Sequence, residues 1–182
     1  MYKIVTISGN SSLTSRSAAI LNYAQELCRK HQIEIASITV RDLPPEDLIY
    51  GNFESPEVKK LQLLVGQAEA VIISTPVYNS SYTGILKALL DLMPQYAFSG
   101  KTILPIVTGG SINHLLSIDY AIKPLFSAMG ATHILKGVYV VSSQIQFNEQ
   151  KKIQLDSDID QRLKASIQEL VNTLTQKQLV AV

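Results

Sequence analysis

The chain is predicted to be an α/β protein built on a five-stranded, doubly wound parallel sheet in the order 2-1-3-4-5. Three observations lead to this. Five short β-branched or wholly apolar runs alternate with segments of helical periodicity. The central runs are apolar at nearly every position, as in strands buried on both faces. Three of the runs stop abruptly in polar loops containing Gly or Pro, and in such a sheet those loops converge beyond the carboxyl ends of strands one, three and four.

Tyr2 to Ile7 is a β-branched run ending at Ser8-Gly9. Ser17 to Lys30 places Ala18, Ile20, Leu21, Ala24, Leu27 and Cys28 near helical spacing, and Ile33 to Val40 alternates as a strand. Arg41 to Ser55, with Pro44-Pro45 and Gly51-Asn52, reads as a long connection. Ser55 and Pro56 then suit the N-cap and first position of a helix to about Gln67. Ala70 to Thr75 is a fully apolar strand stopped by Pro76, and Gly84 to Met93 is helical up to Pro94. Thr102 to Val107 is a strand ending at Thr108-Gly109-Gly110. Ile112 to Met129 reads as one long helix closed by Gly130. His133 to Val141 is the last strand, Gln144 to Lys152 a polar mobile link, and Leu155 to Gln176 the last helix.

The 182 residues fit a single domain, 1–182, long enough to bury a full core. A hydrophobic content of 46% suits a sheet covered on both faces and leaves apolar surface for subunit contacts. Sixteen basic and fifteen acidic residues give a net charge of +1, with no basic stripe to recruit nucleic acid. The one cysteine, Cys28, cannot form an internal disulfide and is read as a packed helical residue. His31, His114 and His133 are scattered, so no metal site is expected. The chain enters a strand pattern at once and has no run of ~18 uninterrupted apolar residues, so a cytoplasmic location without a membrane span is expected.

Chemistry concentrates in the three converging loops. Ser8 to Ser17, SGNSSLTSRS, carries five serines, a threonine, an asparagine and Arg16 immediately before a helix. Hydroxyls, helix N-terminal amides and a guanidinium suit a terminal phosphate dianion. Capping by Ser15 or Ser17 alone would need only one serine. The loop matches neither G-x-G-x-x-G nor the NTPase G-x-x-x-x-G-K-[ST] pattern. Thr75 to Gly84, TPVYNSSYTG, offers Pro76, the flat ring of Tyr78, and Asn79 to read a ring's polar edge. Thr108 to Ser111, TGGS, lets a ligand approach the backbone closely. His114 follows, either at the edge of a bound ring or as a surface or interface histidine.

Together SGNSSLTSRS, TPVYNSSYTGILKALLDLMP and LPIVTGGSINHLLSIDYAIKPLFSAMGA resemble the NADPH-dependent FMN reductase family, nearest to the reductase component of two-component alkanesulfonate monooxygenase systems. The likeness runs from about Lys3 to Val140 and includes PPEDLIYGNFESP; it does not extend beyond Ser143. It implies a flavodoxin-like fold with FMN phosphate on Ser8, Ser15, Arg16 and Ser17. The isoalloxazine would lie against Pro76, Val77, Tyr78 and Asn79, with Thr108, Gly109, Gly110 and Ser111 closing the other side. The cofactors FMN and NADPH carry the hydride step, so no catalytic side chain is assigned. The resemblance also implies delivery of reduced flavin to a flavin-dependent monooxygenase, and a homotetramer. Two alternatives are an FMN-bound quinone or azo reductase and a flavodoxin-type electron carrier. The carrier fits less well, because such proteins are strongly acidic with threonine-rich phosphate loops, and this chain has neither feature.

Pro124 interrupts the helix predicted over Ile112 to Met129. It has no N–H for the Tyr120 carbonyl, so the helix must bend or widen there, and a π-bulge is one solution. By resemblance Tyr120 sits in a π-helical turn at the tetramer interface; otherwise it is a core residue of a kinked helix.

Overall fold

The computed structural model describes residues 3–12 and 14–180; Tyr2, read as the start of the first strand, and Leu13 of the first loop lie outside these. One parallel sheet organises the chain. Its strands are β1 (Lys3–Ser8), β2 (Glu34–Thr39), β3 (Ala70–Pro76), β4 (Thr102–Gly109) and a last strand in two pieces, β5 (His133–Ile134) and β6 (Val138–Val141). The order is β2-β1-β3-β4-β5, with β6 also on β4, which is the flavodoxin-like order 2-1-3-4-5.

Alternation along each strand feeds two cores. Val5, Ile7, Val71, Ile73, Ile103 and Val107 point to one face. There they meet α3 (Pro56–Gln67) through Val58, Leu61 and Val65, and α4 (Gly84–Asp91) through Leu86, Leu89 and Leu90. Ile4, Ile72, Leu104, Ile106, Val138 and Val140 point the other way. They meet α1 (Arg16–Arg29) through Ile20, Leu21, Ala24 and Cys28. The last helix, α6 (Ser157–Val180), adds Ile159, Leu163, Ile167, Leu170 and Leu174, an apolar stripe at helical spacing. Each such buried aliphatic side chain contributes about 1.5–3 kcal/mol, so both faces must stay covered. Among the described residues no helix is long and apolar enough to cross a membrane.

The predicted last strand, His133 to Val141, is broken, and Pro105 explains the break. Leu135 donates to the Ile103 carbonyl, so Ile103 faces the last strand. Pro105, two residues on, faces the same way and has no N–H to give. The partner chain leaves the ladder there and turns at Gly137, whose φ is +82°. A Cβ at Gly137 would stand 2.8 Å from the Pro105 carbonyl oxygen.

The helix predicted over Ile112 to Met129 is also not continuous. A 3-10 turn (Ile112–His114) leads through Leu115 and Leu116 into a π-helix (Ile118–Ile122), then α5 (Lys123–Ala128). The Lys123 N–H reaches back five residues to the Ile118 carbonyl, and Pro124 follows directly. Ile118, Ile122 and Phe126 are buried, whereas Ile112, Leu116 and Tyr120 are 58%, 57% and 79% exposed.

Two further elements lie where only connections were expected. Within Arg41 to Ser55, α2 (Pro45–Tyr50) has Pro45 in its first turn and Gly51 at φ +67° just past its end. Within Gln144 to Lys152, β7 (Ile145–Phe147) pairs antiparallel with β8 (Ile153–Leu155), so the expected mobile link is a hairpin. It packs through buried Ile145 and half-buried Ile153 and Leu155 against the core of α1 and α6.

Burial in that core pushes the Cys28 thiol up to about 11 from 9.0. A native thiol that keeps its proton while the unfolded one ionises loses stability as pH rises from about 9 towards 11. Cys28 is therefore expected to resist a disulfide reagent at pH 8 in the native protein and to react fully in urea. Rapid native labelling would contradict its burial.

Candidate active site

The three loops meet as the topology requires. The Gly9 N–H donates to the Ser74 carbonyl (2.7 Å) and the Val77 N–H to the Thr108 carbonyl (2.8 Å), tying the first and third loops to the end of β3. Thr83 Oγ1 donates to the Gly9 carbonyl (2.5 Å) and accepts from the Leu86 N–H (3.2 Å), so the N-cap of α4 also clamps the first loop. Ser74 Oγ donates to the Ser17 carbonyl, fixing the start of α1 over β3.

Between these loops lies a cleft of about 380 Å³. Asn10, Thr14, Ser15, Arg16 and Ser17 line it from the first loop, Pro76, Val77 and Tyr78 from the second, and Thr108, Gly109 and Gly110 from the third. Two larger hollows, of about 470 and 410 Å³, are lined by the β7–β8 hairpin with α1 or α6. Neither is lined by the loops that follow β1, β3 and β4, where the strand order reverses, so size does not identify the site and topology does.

Ser15 caps α1, its Oγ accepting from the Ala18 N–H at 3.1 Å. The other polar groups exceed what capping needs. Ser17 Oγ lies 3.1 Å from Ser15 Oγ and accepts from Asn10 Nδ2 at 3.3 Å, while Asn10 Oδ1 accepts from the Ser12 N–H at 2.9 Å. These bonds arrange hydroxyls beside the first-turn amides of α1, where an anion is favoured. Arg16 is exposed at the same place with no ion-pair partner among the described residues, and no carboxylate lines the cleft. Such a donor set could hold a phosphate dianion.

The second loop is a tight turn in which Tyr78 and Ser81 exchange backbone hydrogen bonds. Asn79 and Ser80 both take left-handed φ, 48° and 66°, a strained choice for Ser80 that turns Tyr78 outward, 59% exposed. In the third loop Tyr139 Oη donates to the Ser111 carbonyl (2.6 Å) and Ser142 Oγ to the Gly109 carbonyl (3.0 Å). Burial raises the Tyr139 phenol above its ordinary value, so it remains a donor at neutral pH. A Cβ on Gly109 would collide with that hydroxyl, whereas a Cβ on Gly110, which lines the cleft, would meet no protein atom within 4 Å.

Nine of the twelve expected cofactor contacts line the cleft and three do not. Ser8 is buried within β1, Asn79 serves the tight turn, and Ser111 caps the 3-10 turn through the Asn113 N–H. Tyr120 lies in the π-helix, outside the lining, and His114 is half-buried in the 3-10 turn. Asn10, Thr14, Ser142 and Phe147 complete the lining and were not anticipated. Asn10 and Thr14 stood inside the SGNSSLTSRS loop and could have been found there. Ser142 and Phe147 arrive through the fold of the tail.

The cleft lies where the strand order of the flavodoxin-like sheet reverses, the place at which ligands of open α/β sheets bind. Residues 2–146 match the family model described as NADPH-dependent FMN reductase. The FMN reductase (NADPH) of Pseudomonas putida is 43% identical over 166 residues, covering 91% of this chain and 84% of its own. That of Escherichia coli K12 is 39% identical over 165 residues, covering 87% and 86%. The crystal structure of an NADH:FMN oxidoreductase, EMOB, in its apo form superposes with a TM-score of 0.83 at 34% identity, covering 93% of this chain and 88% of that one. The chain belongs to the NADPH-dependent FMN reductase family and is an oxidoreductase.

The third loop yields a test. Gly109→Ala should destabilise the protein by about 1–3 kcal/mol through overpacking against Tyr139. In a Tyr139→Phe background, where the colliding oxygen is gone, the same change should cost less. Urea denaturation of the four proteins checks this; strict additivity would mean that the two side chains do not meet.

Proposed function

We propose that this cleft binds FMN, and that the protein reduces it with NADPH and passes the reduced flavin to a partner flavin-dependent monooxygenase in the cytoplasm, in the assimilation of sulfur from sulfonates. The observation that carries the reading is the start of α1. Ser15, Arg16 and Ser17 line one end of the cleft, and Pro76 to Tyr78 with Thr108 to Gly110 line the rest. That arrangement suits a ligand with a phosphate at one end and a flat ring at the other.

In this reading the first loop holds the FMN phosphate through hydroxyls, helix amides and Arg16. Pro76, Val77 and Tyr78 support one side of the isoalloxazine. Gly109 and Gly110, in a loop whose Gly109 and Ser111 carbonyls accept from Ser142 and Tyr139, admit it closely on the other. When bound, FMN accepts a hydride from the nicotinamide, so the protein's part is to set ring against ring and to leave the exposed side open. Asn79 and Ser111 flank this region and can join it through small adjustments of their turns. The family and relative names support FMN and NADPH as the reacting pair; the monooxygenase and the sulfur role rest on the resemblance.

The assay is NADPH oxidation with excess free FMN. Rapid turnover supports the reading, none would favour a flavodoxin-type carrier, and turnover only with quinone or azo acceptors would favour that class of reductase. Arg16→Ala should weaken FMN about ten- to a hundredfold while leaving riboflavin, which has no phosphate, nearly unaffected. Equal losses for both flavins would place Arg16 elsewhere.

The same reading includes a homotetramer. The exposed Ile112, Leu116 and Tyr120 around the π-helix form apolar surface suited to a second copy. Light scattering at micromolar concentration should report an oligomer. Deleting Tyr120, which restores regular helical phase, should leave a folded protein with altered assembly; a monomeric wild type would refute the idea.

A further inference from the structure

A second groove, about 410 Å³, shares the Phe147 side chain with the cleft and continues along α1. Asn22 and Tyr23 of α1 form one wall, and Lys151 and Lys152, on the turn of the β7–β8 hairpin, stand in another. We infer that this groove receives the phosphorylated adenosine half of the reducing dinucleotide, with Lys151 and Lys152 meeting its 2′-phosphate. The inference rests on the reading of the cleft as an FMN site served by NADPH.

Charge is the first argument. Arg16 is the one cationic side chain lining the cleft, and in that reading the FMN phosphate engages it. The dinucleotide brings further phosphates, and the cations lining the adjoining groove are Lys151 and Lys152. Elsewhere on the protein several lysines are neutralised. Lys59, Lys87, Lys123 and Lys164 each hold a carboxylate at 2.6 Å. Lys151 and Lys152 hold none among the described residues. Glu26 is the one acid lining the groove, so the groove remains net positive.

Geometry is the second. Asn148 Oδ1 accepts from the backbone N–H groups of Gln150 (3.0 Å) and Lys152 (2.9 Å), and Lys151 is set at φ +57°. The turn that carries both lysines is therefore pinned rather than splayed. Phe147, 44% exposed, offers a flat apolar face at the junction of cleft and groove, where an adenine or ribose must pass. Asn22 lies about 9 Å along the helix axis from Arg16, which stands at the phosphate end of the cleft, and Phe147 joins cleft and groove, so a dinucleotide extended from a nicotinamide at the ring end has a continuous path into the groove.

NADPH and NADH differ only in the 2′-phosphate, which makes the test specific. The kcat/KM ratio of NADPH to NADH is compared between wild type and the double variant Lys151→Gln, Lys152→Gln. The wild type should favour NADPH, and the ratio should fall roughly tenfold or more in the variant. Adenosine 2′,5′-bisphosphate should bind the wild type, by calorimetry, at concentrations where 5′-AMP does not, and the variant should lose that difference. A wild type indifferent to the 2′-phosphate, an unchanged ratio, or equal losses with both nucleotides would overturn the inference. So would a parallel loss of FMN affinity, which would assign the lysines to the flavin. Absence of FMN reduction in the wild type alongside lysine-dependent binding of the bisphosphate would defeat the reductase reading and leave the groove standing.

Discussion

The pairing of β3 with β4 is the constraint on which the site depends. Seven residue pairs run in register from Ala70–Thr102 to Pro76–Thr108. The Val77 N–H then extends the ladder one step beyond the strands, onto the Thr108 carbonyl. Both strands are buried on two faces, so neither can slip without exposing a row of isoleucine, leucine and valine side chains. The second and third loops therefore leave the sheet side by side at a fixed separation. The first loop is secured to the same strand end through Gly9 and Ser74. The position of the cleft is in this sense a product of core packing, and the loops need only supply chemistry.

That chemistry is electrostatic and largely preset. Ser15 satisfies one amide at the start of α1, while Ser17 and Asn10 are arranged by bonds to their neighbours. Such a set of polar groups changes little on meeting an anion, so little reorganisation opposes binding. The third loop is held by two side-chain donors on its carbonyls, which rigidifies a Gly-Gly segment that would otherwise be among the most flexible in the chain. In the proposed reading glycine gives closeness to the ligand, and a buried tyrosine gives the loop stiffness.

Much of this was legible in the sequence because it follows from local chemistry. The apolar runs at Ala70 to Thr75 and Thr102 to Val107 announced strands covered on both faces, and the order of the sheet followed from their alternation with helices. Pro124 announced trouble at Tyr120 because a missing N–H has a definite address, and the π-helix lies there. The same reasoning applied to Pro105 would have warned that the strand beyond it must break. The β7–β8 hairpin was hidden by its glutamines, asparagine and lysines, although Ile145 and Phe147, then Ile153 and Leu155, keep strand alternation. Phe147 and Ser142 could not be assigned to the cleft from sequence. Their arrival depends on how the tail folds back, which no local pattern encodes. Ser8 is the opposite case: it belongs to a serine-rich stretch but lies at the buried end of β1, outside the lining of the cleft.

The interruption at Pro105 and Gly137 has a consequence for the protein's behaviour at high concentration. The last strand forms one margin of the sheet, and an unbroken margin would offer a continuous row of amides and carbonyls on which another chain could pair. Here the row is cut into pieces of two and four residues with a left-handed bend between them. A stray strand docking there would lose its ladder within a few residues. The discontinuity thus works as a guard against runaway sheet growth in the crowded interval when chains are still folding, and it is written into the backbone rather than into surface charge.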